Sequence, residues 1–328
     1  MGTRGAVQEL VLELTGWCPQ RCLHCSSASG PENNSFLSPA TVIRLIDEAV
    51  DLGASKISFG GGEPTSTPLL MASLNQAVDH GLQAEVFTCG VAGPPGQPSP
   101  LPVSMVERFA ALKGLKLIFS FHSYRRETHD FIAQNPGSHS AALSSLKACL
   151  ASGIDCEINF VPLRTNFEHL PKLVELSKSL GIARVSILRF VPQGRGLEHR
   201  DALELFVDEE QSLIQTITRL RSEGKVELRT GSPFNGLVPG NRVPCRAGRT
   251  KLVVQPDGNV LPCEVFKDCS RRQWGMAANM HLAEMLSSPS VGSLAQLLKG
   301  RGALCPVHCG LRRERVDIKE GSIESFSA

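Results

Sequence analysis

The chain has 328 residues, 41% of them hydrophobic, and a formal net charge of +2. That length and composition suit one large α/β domain with a smaller module, or two ordinary domains, each with enough apolar surface for a packed core. So slight a charge excludes the basic footprint of a dedicated nucleic-acid binder; short basic runs such as Arg271 with Arg272, or Arg312, Arg313 and Arg315, read as solvated surface.

The opening residues, MGTRGAVQELVLEL, run straight into a strand pattern. No apolar h-region with a small-residue cleavage site precedes it, so no secretory signal is expected. No apolar run approaches the roughly 20 residues of a membrane span, and Ala6 stands where N-myristoylation needs Ser or Thr. The expectation is a cytoplasmic protein with no membrane and no nucleic acid among its partners. In that compartment eleven cysteines point to metal or catalysis rather than disulfides.

Strand patterns fall at residues 10–14, 56–59, 84–88, 115–121, 156–161 and 184–189, with amphipathic helices between them. The first helix opens at Ser38 and Pro39, carries Val42, Ile43, Leu45, Ile46, Ala49 and Val50, and stops at Gly53, the expected punctuation. Later helices carry Leu143, Leu146, Cys149 and Leu150 up to Gly153, and Leu170, Leu173, Val174 and Leu180 up to Gly181. Repeated strand–helix units predict a parallel sheet, because parallel strands need crossover helices. Periodicity leaves open whether the sheet is doubly wound or a partial barrel.

Beyond about residue 225 the pattern changes. A short strand over 226–229 leads into a Gly/Pro-rich stretch at 231–244. Then apolar runs at 251–255 and 260–261 flank Asp257 and Gly258, a strong hairpin signal. The expected boundary lies near 235–244, dividing the chain into residues 1–234 and 235–328. Two long loops, 26–37 and 90–102, follow strand C-terminal ends, where parallel α/β folds place active sites.

The cysteines concentrate in three places: Cys18, Cys22 and Cys25; Cys245 and Cys263; Cys305 and Cys309. The first group follows the first strand with the spacing C-x3-C-x2-C. Three thiolates on one loop can converge on a cubane cluster and leave its fourth iron free for another ligand. The competing reading is a zinc site with His24 as fourth ligand, but His24 adjoins Cys25 and is poorly placed to share its tetrahedron.

This triad, followed by Gly60-Gly61-Gly62-Glu63-Pro64 after the second strand, resembles the radical S-adenosylmethionine (SAM) superfamily over roughly residues 9–195. The resemblance implies a partial (βα)6 TIM-like barrel. It implies a 4Fe–4S cluster on Cys18, Cys22 and Cys25 whose unique iron is chelated by SAM, and reductive cleavage of SAM to a 5′-deoxyadenosyl radical. Gly61, Gly62 and Glu63 are the implied SAM contacts, with Ser120 and Arg189 as further ones. His122 is a candidate for substrate chemistry. Where the family commonly shows Thr-Asn-Gly, this chain has Thr88-Cys89-Gly90, which makes Cys89 a second catalytic candidate or a buried bystander. His122, Glu157 and Arg164 are positional candidates for a base, and Asn159 and Asn166 for polar contacts.

The later cysteines, with C-x12-G-x4-C from Cys245 through Gly258 to Cys263, resemble the auxiliary-cluster module of SPASM/Twitch enzymes. A full SPASM set needs about seven cysteines for two clusters. Counting Cys269 there are fewer here, so the expectation is one auxiliary 4Fe–4S cluster on Cys245, Cys263, Cys305 and Cys309, with structural zinc as the competing reading. The resemblance implies an electron donor such as flavodoxin or ferredoxin. It favours peptide or protein modification; the alternatives are a small-molecule dehydrogenase acting on a sugar, aminocyclitol or other natural product, and a non-enzymatic iron–sulfur carrier. Because the first strand begins by about residue 9, any leader-binding partner is expected to be a separate protein.

Overall fold

The computed structural model describes residues 7–267 and 274–287. Cys269, Cys305 and Cys309 lie outside the described residues. Seven strands follow one another in parallel: β1 (Glu9–Thr15), β2 (Lys56–Gly61), β3 (Gln83–Thr88), β4 (Leu115–Ser120), β5 (Asp155–Phe160), β6 (Arg184–Ile187) and β7 (Glu227–Thr230). The chain then returns to the other side of β1, where β8 (Lys251–Val254) pairs with it in parallel. β9 (Asn259–Leu261) and β10 (Gly275–Met276) continue outward antiparallel. The sheet order is β10-β9-β8-β1-β2-β3-β4-β5-β6-β7, an open partial barrel.

Helices α1 (Pro39–Asp51), α2 (Leu69–Asp79), α3 (Val103–Ala110), α4 (Arg126–Ala133), α5 (Ser138–Ala151) and α6 (Leu170–Ser179) are the crossovers. α1 starts and stops as its punctuation dictates: the Ser38 side chain accepts the Thr41 N–H, Pro39 fills the first turn, and Gly53 takes the left-handed φ of 83°. Between β4 and β5 the structure has two helices where periodicity revealed one. α4, sequence RETHDFIA, is polar on average and only eight residues long, too short for its apolar face to stand out as a period.

Alternation along β1 divides the layers. Leu10, Leu12 and Leu14 join α1's Val42, Leu45 and Ile46 in the outer core. Glu9, Val11 and Glu13 face inward, where Val11 meets only Val253 and Leu261. The inner face toward the strand starts is charged and internally paired. Lys56 Nζ lies 3.1 Å from Glu9 and 3.0 Å from Glu85. Glu157, 1% exposed, is surrounded by Arg229 (3.1 Å), Arg184 (3.5 Å) and Lys116 (3.9 Å). Buried charges persist only when paired, so this end of the barrel is plugged and any reactive opening lies at the other. Among the described residues no helix is long and apolar enough to cross a membrane.

Candidate active site

Because β1–β6 are parallel, their C-terminal ends share one rim, and the segments that follow them meet there. The cysteine loop after β1 is held by backbone on three sides. Gly62 N–H donates to Thr15 O at 2.6 Å and Glu63 N–H to Trp17 O at 2.8 Å, stitching the Gly-Gly-Glu turn to the loop's entry. Arg21 N–H and Leu23 N–H donate to Ala133 O and Ile132 O at the end of α4 (3.1 and 2.9 Å). From the opposite side the Arg195 guanidinium donates to Cys22 O at 3.0 Å and Ser29 O at 2.8 Å.

The stitch at β2 requires glycine. Gly61 has φ +111°, and a Cβ there would stand 2.5 Å from Thr15 O; a Cβ at Gly62 would stand 2.0 Å from Trp17 O. Glu63, 1% exposed, is oriented by four donors. Oε1 accepts from Thr65 N–H (3.1 Å), Thr65 Oγ1 (2.7 Å) and Thr88 Oγ1 (2.7 Å), and Oε2 from the Cys89 N–H (2.7 Å).

Burial, and then the neighbouring Cys18 and Cys25, push the Cys22 thiol well above its ordinary range. The three sulfurs therefore repel one another when ionised, and polycationic iron is the kind of group that relieves this. Among the described residues no three Cys, His, Asp or Glu side chains converge on a single-ion site. His24 does not complete a zinc tetrahedron. Its ring stands edge-on to His122 with centroids 4.6 Å apart, and burial with the nearby Arg195 lowers its pKa to about 4.

The Cys89 thiol is buried and donates to Val91 O at 3.8 Å. Burial, contact with the Cys18 thiol and the Glu63 charge raise its pKa well above the ordinary range, so it stays protonated. His122 is 3% exposed with Nε2 3.9 Å from Cys22 Sγ, which places it against the triad. Ser120 ends β4 opposite Asn159 of β5 on the same rim. Asn166 locks the next loop, donating to His122 O (2.9 Å) and Val161 O (3.1 Å) while accepting from Leu163 N–H (2.6 Å).

Three other sequence candidates are engaged elsewhere. The Arg189 guanidinium pairs with Glu210 at 3.0 Å and donates to Pro233 O at 3.2 Å. Glu157 belongs to the charged plug, and Arg164 pairs with Glu209 and stacks over Phe206 at 3.9 Å. Arg195 is the residue that sequence reasoning passed over. It stands beyond β6, and its side chain clamps the cysteine loop. Arg195→Met removes two charge-assisted hydrogen bonds, a local loss of about 2–4 kcal/mol. Iron retained at the triad after reconstitution should fall severalfold while the thermal transition of the barrel changes little; full iron loading in the variant would show that the clamp is dispensable.

The segment beyond residue 244 reaches the same rim. Gly248 N–H donates to Pro262 O at 3.1 Å, bringing the stretches that carry Cys245 and Cys263 together. Cys263 Sγ lies 3.3 Å from Glu264 Oε2. Burial opposes ionisation of Glu264, but Lys251 at 2.6 Å outweighs it and draws the carboxyl pKa down to about 2. Lys267, buried, bonds to both Glu13 and Ser27, tying this segment to the residues just past Cys25.

Comparisons with known proteins agree with this geometry. The family model described as "Radical SAM superfamily" matches residues 12–177, and one described as "Iron-sulfur cluster-binding domain", SPASM, matches 245–310. The chain is 28% identical to a protein named PqqA peptide cyclase of Granulibacter bethesdensis, over 82% of this chain and 72% of that one. It is 29% identical to the mycofactocin maturase MftC of Mycobacterium tuberculosis, over 77% of this chain and 63% of that one. Its fold is similar to that of Streptococcus suis SuiB, solved bound to the precursor peptide SuiA, with a TM-score of 0.75, 18% identity, and coverage of 94% of this chain and 74% of that one. With the cysteine triad, the Gly-Gly-Glu turn and the partial barrel in the arrangement described above, the chain belongs to the radical SAM superfamily and is a radical SAM enzyme with a SPASM iron–sulfur domain.

Proposed function

We propose that this enzyme oxidises a peptide or protein substrate. Hydrogen is removed from a substrate carbon at the barrel rim, one electron leaves toward an auxiliary cluster held by the segment beyond residue 244, and one proton leaves to a base, so that a new bond can form within the substrate. When bound, the cluster and SAM supply the 5′-deoxyadenosyl radical on which the superfamily's chemistry runs. The chain's own part is to hold, orient and exclude water. Cys18, Cys22 and Cys25 hold the cluster. Glu63, with Oε1 saturated by three donors, keeps a lone pair on Oε2 for the SAM ammonium. Gly61 and Gly62 allow backbone to lie against the cofactor, and Ser120 offers a hydroxyl on the same rim.

Cys245, Cys263, Cys305 and Cys309 are assigned to one auxiliary 4Fe–4S cluster within a module spanning residues 235–328. Reconstituted protein is then expected to hold about eight iron atoms per chain, four per cluster. The electron that starts each turnover comes from a flavodoxin- or ferredoxin-type donor, and a separate leader-binding protein is a further partner in this reading.

The observation that carries the peptide assignment is the similarity, over 82% of this chain, to a protein named PqqA peptide cyclase. The test is to incubate reconstituted enzyme, SAM and a low-potential reductant with a precursor peptide encoded beside its gene. Mass spectrometry should find the peptide lighter by the two hydrogens that a cross-link removes. SAM turnover with every neighbouring peptide unchanged, but with oxidation of a sugar or aminocyclitol, would overturn the assignment.

A further inference from the structure

Cys22 is distinguished from the other two triad cysteines by its neighbours. Its Sγ lies between two neutral, buried, nitrogen-bearing side chains. Gln20, 2% exposed, accepts the thiol proton on Oε1 at 3.3 Å, and the same amide's Nε2 is buried with no partner among the described residues. His122 Nε2 stands 3.9 Å from Sγ, and its Nδ1 is likewise buried with no partner among the described residues. A buried nitrogen left without a partner is costly, so this arrangement is poor for a protonated thiol.

It is well made for a sulfur bonded to iron. Such a sulfur has no proton to give and lone pairs to offer. An amide's oxygen and nitrogen occupy nearly interchangeable positions. Rotating the Gln20 amide by half a turn therefore turns an N–H toward the sulfur, sets the oxygen in the buried position that Nε2 now holds, and leaves the shape of the site unchanged. For His122 the choice is one of tautomer. Among the described residues only Nε2 has a heteroatom within reach, so a proton there makes a bond to sulfur, whereas a proton on Nδ1 buries a donor and sets two lone pairs against each other.

The His122 ring is held where this needs it. The backbone N–H of His122 donates to His129 Nδ1 at 3.2 Å, its backbone carbonyl accepts from Asn166 at 2.9 Å, and its ring packs against His24 and His129 at centroid distances of 4.6 and 5.1 Å. His129 in turn packs on His139 at 5.4 Å. This stack of imidazoles fixes the donor before any substrate arrives.

We propose that Gln20 and His122 are positioning residues that donate a pair of N–H···S hydrogen bonds to the Cys22 thiolate and raise the reduction potential of the SAM-binding cluster. Each donor draws electron density from the sulfur and so stabilises the more negative, reduced cluster. The inference rests on the reading of Cys18, Cys22 and Cys25 as the cluster's ligands.

The test uses the full chain, reconstituted anaerobically, and follows the reduced-cluster EPR signal that changes when SAM is added. Gln20→Met and His122→Phe each remove one donor while roughly conserving volume. Each should shift the midpoint potential negative, the double variant further, and His122→Gln, which restores an amide donor, back toward wild type. In protein labelled with 15N-histidine, pulsed EPR should detect a nitrogen coupling to the reduced cluster that disappears in His122→Phe, although His24 remains.

Wild-type potentials in the singles and the double, or a reduced wild-type cluster with no histidine coupling, would overturn the proposal. If a variant fails to retain iron, the wild-type coupling decides alone. A wild-type protein with no SAM-sensitive signal at all would instead count against the cluster assignment itself.

Discussion

Cys22→Ala should reduce formation of 5′-deoxyadenosine to background while leaving the protein folded. Three thiolates are the minimum that can hold a cubane and still leave its fourth iron to SAM, and alanine offers the vacated iron no ligand. The loop does not depend on this side chain for its path. Arg21 and Leu23 hang on α4 through their peptide N–H groups, and Arg195 grips the Cys22 carbonyl, all of which alanine keeps. The loss is therefore one of chemistry rather than architecture.

Two measurements check this: chromatography of SAM cleavage products under a low-potential reductant, and iron content. On the proposed reading of one auxiliary cluster, iron should drop by about half while the auxiliary share remains. Deoxyadenosine formation at the wild-type rate would remove the triad from the mechanism. Loss of all the iron together with the thermal transition would mean that the loop is also a folding element.

The parts of this molecule visible in its sequence are those encoded by local period and punctuation. The parallel strands emerged within a residue or two of their expected positions because each is a short apolar run, and β2 to β7 each begin shortly after a left-handed glycine: Gly53, Gly81, Gly114, Gly153, Gly181 and Gly224. The cysteine and Gly-Gly-Glu motifs were legible because each needs an unusual residue type at fixed spacing.

What stayed hidden depends on contacts between distant residues. That β8 would return to pair with β1, rather than continue beyond β7, is a matter of strand order, on which periodicity is silent. Glu157 looked like a candidate base because an inward carboxylate on a barrel strand can be one. Only the lysine and arginines of neighbouring strands reveal it as part of a plug. The pairing of Arg189 with Glu210, two residues far apart in sequence, is likewise invisible to periodicity. Arg195 reaches a carbonyl more than 150 residues earlier in the chain, and such a side-chain-to-backbone bond leaves no pattern in sequence at all.

Gly62→Ala should be the most damaging single methyl group that can be added to the site. Its Cβ would stand 2.0 Å from Trp17 O, 2.6 Å from Trp17 C and 2.9 Å from Gly16 C. All three are backbone atoms, so no rotamer change relieves the clash. Ordinary contact begins near 3.4 Å, so the two backbones must separate by about 1 Å or more. That opens the Gly62–Thr15 and Glu63–Trp17 hydrogen bonds, which together join the Gly-Gly-Glu turn to the cysteine loop. Overpacking and two lost bonds amount to about 2–5 kcal/mol. Glu63 is displaced from Thr65, Thr88 and Cys89 at the same time, so SAM affinity should fall more than about tenfold, since 1.4 kcal/mol already accounts for a factor of ten. The neighbouring Gly60→Ala is the control: its Cβ would meet only Phe87 Cβ, at 3.9 Å, and both stability and SAM binding should stay near wild type. Equilibrium binding of SAM and thermal denaturation of the two variants distinguish a steric requirement at one glycine from a general need for flexibility along the turn. If Gly60→Ala proved as harmful as Gly62→Ala, or Gly62→Ala bound SAM normally, the close approach of these two backbones would not be what builds the site.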